Sequence, residues 1–115
     1  MNMNHYKSPP RDPDIEAEIY FFTEEEGGRK KPAYSGYRPD HDFGVKDMIN
    51  GAQHEYQQTK AVNPGEKANA LLWLTVPELQ DKRLFINKEF TIQEGARIVG
   101  SGKITRIINK ELINT

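Results

Sequence analysis

From Ile15 the chain alternates with a period of two. Ile15, Ala17, Ile19 and Phe21 fall on one face, and Glu16, Glu18, Tyr20 and Phe22 on the other. That period predicts a half-buried strand with a charged-to-aromatic outer face. Residues 24–28 end it, because Gly27 and Gly28 supply the positive φ that a tight reversal needs. Residues 29–36 read as a connector, extended at Ala33 and Tyr34. Pro39 then takes an edge or bulge position, where a missing donor is tolerated. A strand is predicted over 42–49, with Asn50 and Gly51 as its hairpin turn, followed by a polar strand over 55–59. Asn63, Pro64, Gly65 and Glu66 form a second turn, in which proline presets φ and glycine takes the left-handed position.

Residues 70–76 make the most apolar run and predict a strand buried on both faces, closed by Pro77. Leu84, Phe85 and Ile86 read as a short strand or connector. Residues 90–93 and 97–109 predict the two arms of a hairpin turning at Glu94, Gly95 and Ala96. Gly100 and Gly102 in the second arm mark a bend or bulge. No long segment has helical periodicity, and turn signals recur at roughly the 8–12-residue spacing of an all-β barrel or sandwich.

Composition narrows the chemistry. The 115 residues fit one domain. Lys+Arg 16 against Asp+Glu 17 leaves a formal net charge of -1, so RNA contact requires a local basic patch. The absence of cysteine excludes a disulfide framework, a thiolate nucleophile and Cys-ligated zinc. No apolar run approaches the ~18 residues of a membrane span and no signal-peptide pattern opens the chain, so no membrane association and a cytoplasmic location are expected. Pro9, Pro10 and Pro13 among polar neighbours predict a flexible arm over 1–14. The folded barrel is expected over 15–110, with a tail over 111–115.

Three islands occur in order: Glu26, Gly27, Gly28, Arg29; then Gly36, Tyr37, Arg38, Pro39; then the glycine-rich stretch from Glu94 to Gly102. With the turn at Pro64 and Gly65 between them, they resemble the C-terminal β-barrel, the third domain, of the translation elongation factor Tu family. The resemblance covers about residues 15–108. It implies a small closed antiparallel (Greek-key) β-barrel of about six strands, and a non-catalytic binding module with no cofactor and no metal. It also implies contact with the backbone of tRNA, or of other RNA, through a few polar groups. Two of these fall on Glu94 and Gly95 in the glycine-rich turn, and Arg97, Arg38 and Arg29 are the basic residues placed to complete an RNA-binding set. In the family the barrel also buries faces against the factor's other domains and its exchange factor. A free-standing copy is therefore expected to meet a translation factor or to self-associate, with Tyr20, Phe22 and Tyr37 as interface candidates.

The chain departs from the family pattern at Asp40, where a glutamine is usual, and at Val76, where a lysine is common. His41, Asp42 and Phe43 stand where an aromatic run is usual. Each change weakens electrostatic contact with phosphate. A protein-interaction or regulatory module that has lost RNA binding is thus an alternative reading.

Other constellations are weaker. Residues 95–100 mimic the spacing of a phosphate loop, but Ser101 and Gly102 replace the required lysine and hydroxyl residue. The β-branched stretch 103–108 also offers no helix to present amides. Residues 87–90 lack the aspartate of a guanine-reading element, so the chain alone is not expected to bind or hydrolyse GTP. Asp42, Phe43 and Gly44 spell a kinase tripeptide in a chain too short for a kinase. Gly100, Ser101 and Gly102 lack the spacing of a nucleophile elbow. His5, His41 and His54 match no metal-ligand spacing and read as scattered surface histidines. An RNA-processing enzyme using His41 with Asp40 or Asp42 is the least favoured alternative. Arg29, Lys30 and Lys31 either pair with Glu24, Glu25 and Glu26 or belong to an anion-reading patch. Arg97, Lys103 and Arg106 join that patch only if they converge with Arg38.

Overall fold

Alternation in the first predicted strand is realised as β1 (Ile15–Phe21), whose inward residues Ile15, Ala17, Ile19 and Phe21 are all buried. The computed structural model describes residues 6–114. Five further strands close a barrel with β1: β3 (Asp40–Asp42), β4 (Asn50–Tyr56), β6 (Lys67–Leu74), β7 (Glu89–Glu94) and β8 (Arg97–Ile107). Their order around the barrel is β1-β6-β4-β3-β7-β8, with every pairing antiparallel. Closure satisfies both edges of every strand, so the sheet presents no free edge. A separate ribbon pairs β2 (Ala33–Tyr34) with β5 (Ala61–Val62). Short 3-10 turns at Pro77–Gln80 and Lys110–Leu112 are the only helical pieces among the described residues. The fold is the all-β, six-stranded closed barrel that the sequence indicated.

Two glycines let the barrel turn its corner. Pairing of β7 with β8 slips between Ile92 and Gln93, which face Gly100 and Ile98, so Val99 is an extra residue on β8. A β-carbon on Gly102 would collide with the Phe90 ring, which fills the space the glycine leaves. A second slip, where β1 meets β8 at Glu16 and Ala17, adds further bend.

The turn predicted at Asn50 and Gly51 is instead the start of β4, where these residues pair with His41 and Asp40. The reversal lies in 43–49, with left-handed backbone at Gly44 and Asp47. Tertiary bonding outweighs the local turn preference. Asn50 is buried, donates to the Val76 carbonyl (2.8 Å) and accepts from Gln80 (2.7 Å). The strand expected over 42–49 is therefore displaced to Asp40–Asp42. The one expected over 55–59 is the end of β4, stopped before Gln58, whose φ is 66°. The turn at Pro64 and Gly65 and the hairpin at Gly95 fall where predicted. The apolar strand begins earlier than expected, at Lys67, and is buried on both faces only over Leu72, Trp73 and Leu74. Leu84 makes an isolated parallel bridge to Ile113.

Residues 11–14, within the span expected to be a flexible arm, are bonded to the barrel. Trp73 Nε1 donates to the Arg11 carbonyl and Arg11 Nη2 donates to the Leu74 carbonyl, each at 2.8 Å. Asp14 is fully buried and accepts from Leu74 N (2.7 Å), Asn109 Nδ2 (2.9 Å) and the Arg11 guanidinium (3.1 and 3.2 Å). The proline pattern carries no trace of these bonds. The first five positions, His5 among them, lie outside the described residues.

Candidate binding surface at the glycine turns

Two reversals stand side by side at one end of the barrel. The first, over 23–28, is closed by amide bonds from Glu26 and Gly28 to the Thr23 carbonyl (3.0 and 2.8 Å). The Glu26 carboxylate accepts from Thr23 N (2.8 Å) and from the Tyr20 hydroxyl (2.6 Å). Gly28 is required here, since any β-carbon would overlap the Phe22 carbonyl. The second reversal is the β7–β8 turn, in which Gly95 has φ 61° and Glu94 pairs with Arg97. Arg97 joins the two turns, donating through Nε to the Gly27 carbonyl (2.9 Å) and through Nη2 to the Gly28 carbonyl. Nothing lies within 4 Å of the place a β-carbon would occupy on Gly27 or on Gly95, so the backbone of both turns is open to a ligand.

Behind the second turn, Glu94 is held by residues from the other two islands. Its Oε2 accepts from Arg29 Nη1 and from the Tyr37 hydroxyl. The Arg29 guanidinium lies over the Tyr37 ring, 4.4 Å from the centroid, a stacking geometry that favours the cation. Partial burial works against the Glu94 charge. The Tyr37 and Arg29 hydrogen bonds and the charges of Arg29 and Arg97 outweigh it, so its carboxyl sits below the ordinary value. Burial first, then the bond to Glu94, pushes the Tyr37 phenol well above its ordinary range. Glu94 is therefore an anchored carboxylate with cations on two sides, and its remaining lone pairs suit a hydroxyl or amide donor better than a phosphate.

The structure thus brings Arg29, Tyr37, Glu94, Gly95 and Arg97 together. Arg29 pairs with Glu94 rather than with the acidic run at Glu24, Glu25 and Glu26. Arg38 donates to Gln53 Oε1 (2.8 Å) on β4 and shares no bond with the turns. Arg97, Lys103 and Arg106 are strung along β8, where Lys103 sits opposite Glu89 and Arg106 pairs with Glu16 (3.1 Å). None of them shares a hydrogen bond or ion pair with Arg38. Tyr20 and Phe22 form a half-exposed aromatic pair with ring centroids 5.8 Å apart. Tyr20 also borders a groove floored by Gly102 and flanked by Lys67, Glu89, Ser101 and Lys103.

The histidines are a correction. His41 and His54 are wholly buried in the barrel interior, while Asp40 and Asp42 lie on the opposite face of β3. The set of His41 with Asp40 or Asp42 is therefore not assembled. His41 Nε2 instead meets His54 Nε2 at 2.7 Å, and His41 Nδ1 lies 3.1 Å from the Asn50 carbonyl. A carbonyl only accepts, so His41 Nδ1 carries a proton and its Nε2 accepts from His54 Nε2–H. His54 Nδ1 is then the acceptor for the Tyr56 hydroxyl at 3.1 Å. Burial lowers His41 to about 4. His54 lies well below its ordinary value through burial and then the proximity of His41. The signal that could have located the pair is the period of two in β4, where Asn50, Ala52, His54 and Tyr56 share the inward face.

Among the described residues no three His, Cys, Asp or Glu side chains gather closely enough to hold a metal. Among them no helix is long and apolar enough to cross a membrane. Residues 9–108 match the family model described as Elongation factor Tu C-terminal domain.

Proposed function

We propose that this chain, which belongs to the elongation factor Tu C-terminal domain family, binds the backbone of structured RNA, tRNA foremost, in the cytoplasm. The family's barrel is a non-catalytic binding domain, which supports reading this chain as a translation-factor-like binding module. The finer reading rests on one observation. Arg29 and Tyr37 lock Glu94 in place, so the open Gly95 turn and the exposed Arg97 present a fixed donor–acceptor–cation arrangement. Such a surface suits a sugar–phosphate backbone: Arg97 for a phosphate, the Gly95 amide for an oxygen, and Glu94 for a ribose hydroxyl. Few cations are involved, so the affinity expected is modest and its salt dependence shallow, about one unit of slope for each phosphate contacted.

Amide chemical shifts during titration with a tRNA acceptor-and-T-stem minihelix test this. Early shifts at Gly27, Gly95 and Arg97 support the reading. No shifts at low salt, or shifts confined to other faces, overturn it. A second reading is a protein partner from the translation apparatus, or a second copy of this chain. It draws on the half-exposed Tyr20 and Phe22 beside the groove over Gly102 and expects shifts there instead.

A further inference from the structure

We propose that the His41–His54 contact is an acid-released latch on the seam between β3 and β4. This seam has the fewest register pairs in the barrel, Asp40 with Gly51 and His41 with Asn50, and is continued toward β4's far end by Ala52 N to the Pro39 carbonyl (3.1 Å) and His54 N to the Tyr37 carbonyl (2.9 Å). The hydrogen-bond chain from Tyr56 through His54 and His41 to the Asn50 carbonyl crosses it. Each nitrogen in that chain has one role, and the neutral pair holds two ring protons on four nitrogens. A third proton placed on His54 Nδ1 faces the Tyr56 hydroxyl, which must turn and leave its own hydrogen without its present acceptor. A fourth sets N–H against N–H across 2.7 Å, and the two rings must part.

Among the described residues, no carboxylate enters the lumen to compensate a cation. Phe21 of β1, Phe43 after β3, Tyr56 of β4 and Phe90 of β7 surround the pair, with Tyr37 from the preceding loop. Leu72 of β6 is paired opposite His54, and Gln80 reaches Asn50 from the 3-10 turn. Among the described residues, Tyr37 and Tyr56 are thus the only titratable groups facing the imidazoles. Asp40 and Asp42 lie on the outer face of β3, and Arg29 and Glu94 lie at the Tyr37 hydroxyl, away from the imidazoles. Ring faces offset only part of the hydration that a buried imidazolium loses.

Opening the latch reaches the surface through the backbone. His54 N donates to the Tyr37 carbonyl (2.9 Å) and Gly36 N to the His54 carbonyl (2.8 Å), so displacement of His54 carries Tyr37 with it. Tyr37 holds Glu94. Acid therefore loosens the glycine turn from inside, whichever ligand that turn takes. Because both folded-state values lie below the ordinary one, the stabilisation is complete above about pH 6.5 and is lost as pH falls from there toward 4.

Long-range proton–nitrogen NMR in a His5→Ala background, with only these two imidazoles reporting, tests the latch. At pH 7 the expected signature is a proton on His41 Nδ1 and on His54 Nε2. On acidification both are expected to stay neutral below pH 6, then to protonate together with loss of amide protection at Asn50, Gly51 and Tyr37. Titration of either ring near pH 6.5 with those amides unchanged overturns the proposal. A His41→Phe/His54→Leu variant adds a second readout: its urea stability between pH 6.5 and 4 is expected to lose most of the wild-type slope. An identical slope in both proteins also overturns it. If the variant does not fold, the wild-type titration decides alone.

Discussion

Tyr37 donates its phenolic hydrogen to Glu94, 57 positions later in the chain. That bond ties the Gly36–Pro39 island to the glycine-rich hairpin, and Arg29, from the first island, completes the unit through the same carboxylate oxygen. The three islands are thus one structure in space. Their shared role in this chain is the positioning of a turn.

Tyr37→Phe keeps the ring beneath Arg29 and removes the bond. It is expected to cost about 1 kcal/mol in urea unfolding and to weaken RNA binding several-fold, because Glu94 is then held by Arg29 alone. Unchanged affinity would separate the bond from the binding surface.

Gly95→Ala tests the open turn. With nothing near the added methyl and φ at 61°, it is expected to cost about 1 kcal/mol of stability. Any larger loss of RNA affinity then reports a ligand at the backbone. Gly102→Ala differs in kind, because its methyl meets the Phe90 ring. It is expected to cost about 1–3 kcal/mol through overpacking, visible as a lower unfolding midpoint.

Asp14→Ala removes the acceptor of Leu74 N, Asn109 and Arg11 at a fully buried site. A loss of about 1–3 kcal/mol is expected, the cost of leaving the buried Leu74 amide without its acceptor, because the Arg11 side chain left behind is half exposed; denaturant unfolding measures it. Trp73 fluorescence is expected to shift in the folded variant, since its indole donor holds the Arg11 carbonyl beside Asp14.

The strand content and barrel closure were legible because period-two alternation and positive-φ glycines are local signals. Ile15 to Phe21, Gly65, Gly95 and the bulge near Gly100 all lie where those signals put them. What was missed depends on partners distant in sequence. Asn50 and Gly51 carry a strong turn signal, yet burial of Asn50 against Val76 and Gln80 draws them into a strand. Asp14 reads as loop polarity, although it is bonded to residues 60 and 95 positions away. His41 and His54 read as surface histidines because neither spacing nor composition reveals a buried pair. At the surface, Glu94 and Gly95 were singled out as candidates through resemblance. The roles of Arg29 and Tyr37 behind them emerge only when the islands meet.

The most direct test of the account is RNA affinity against salt, using a fluorescent tRNA acceptor-and-T-stem minihelix with wild type, Arg97→Ala and Arg38→Ala. Wild type is expected to bind with log K falling against log salt, at about 0.9 per phosphate neutralised. Arg97→Ala is expected to reduce that slope by about one, while Arg38→Ala leaves it unchanged, the Arg38 guanidinium being bonded to Gln53 on β4 rather than to the turns. Absence of binding at low salt, or a slope that Arg97→Ala does not alter, would contradict RNA recognition at the glycine turns.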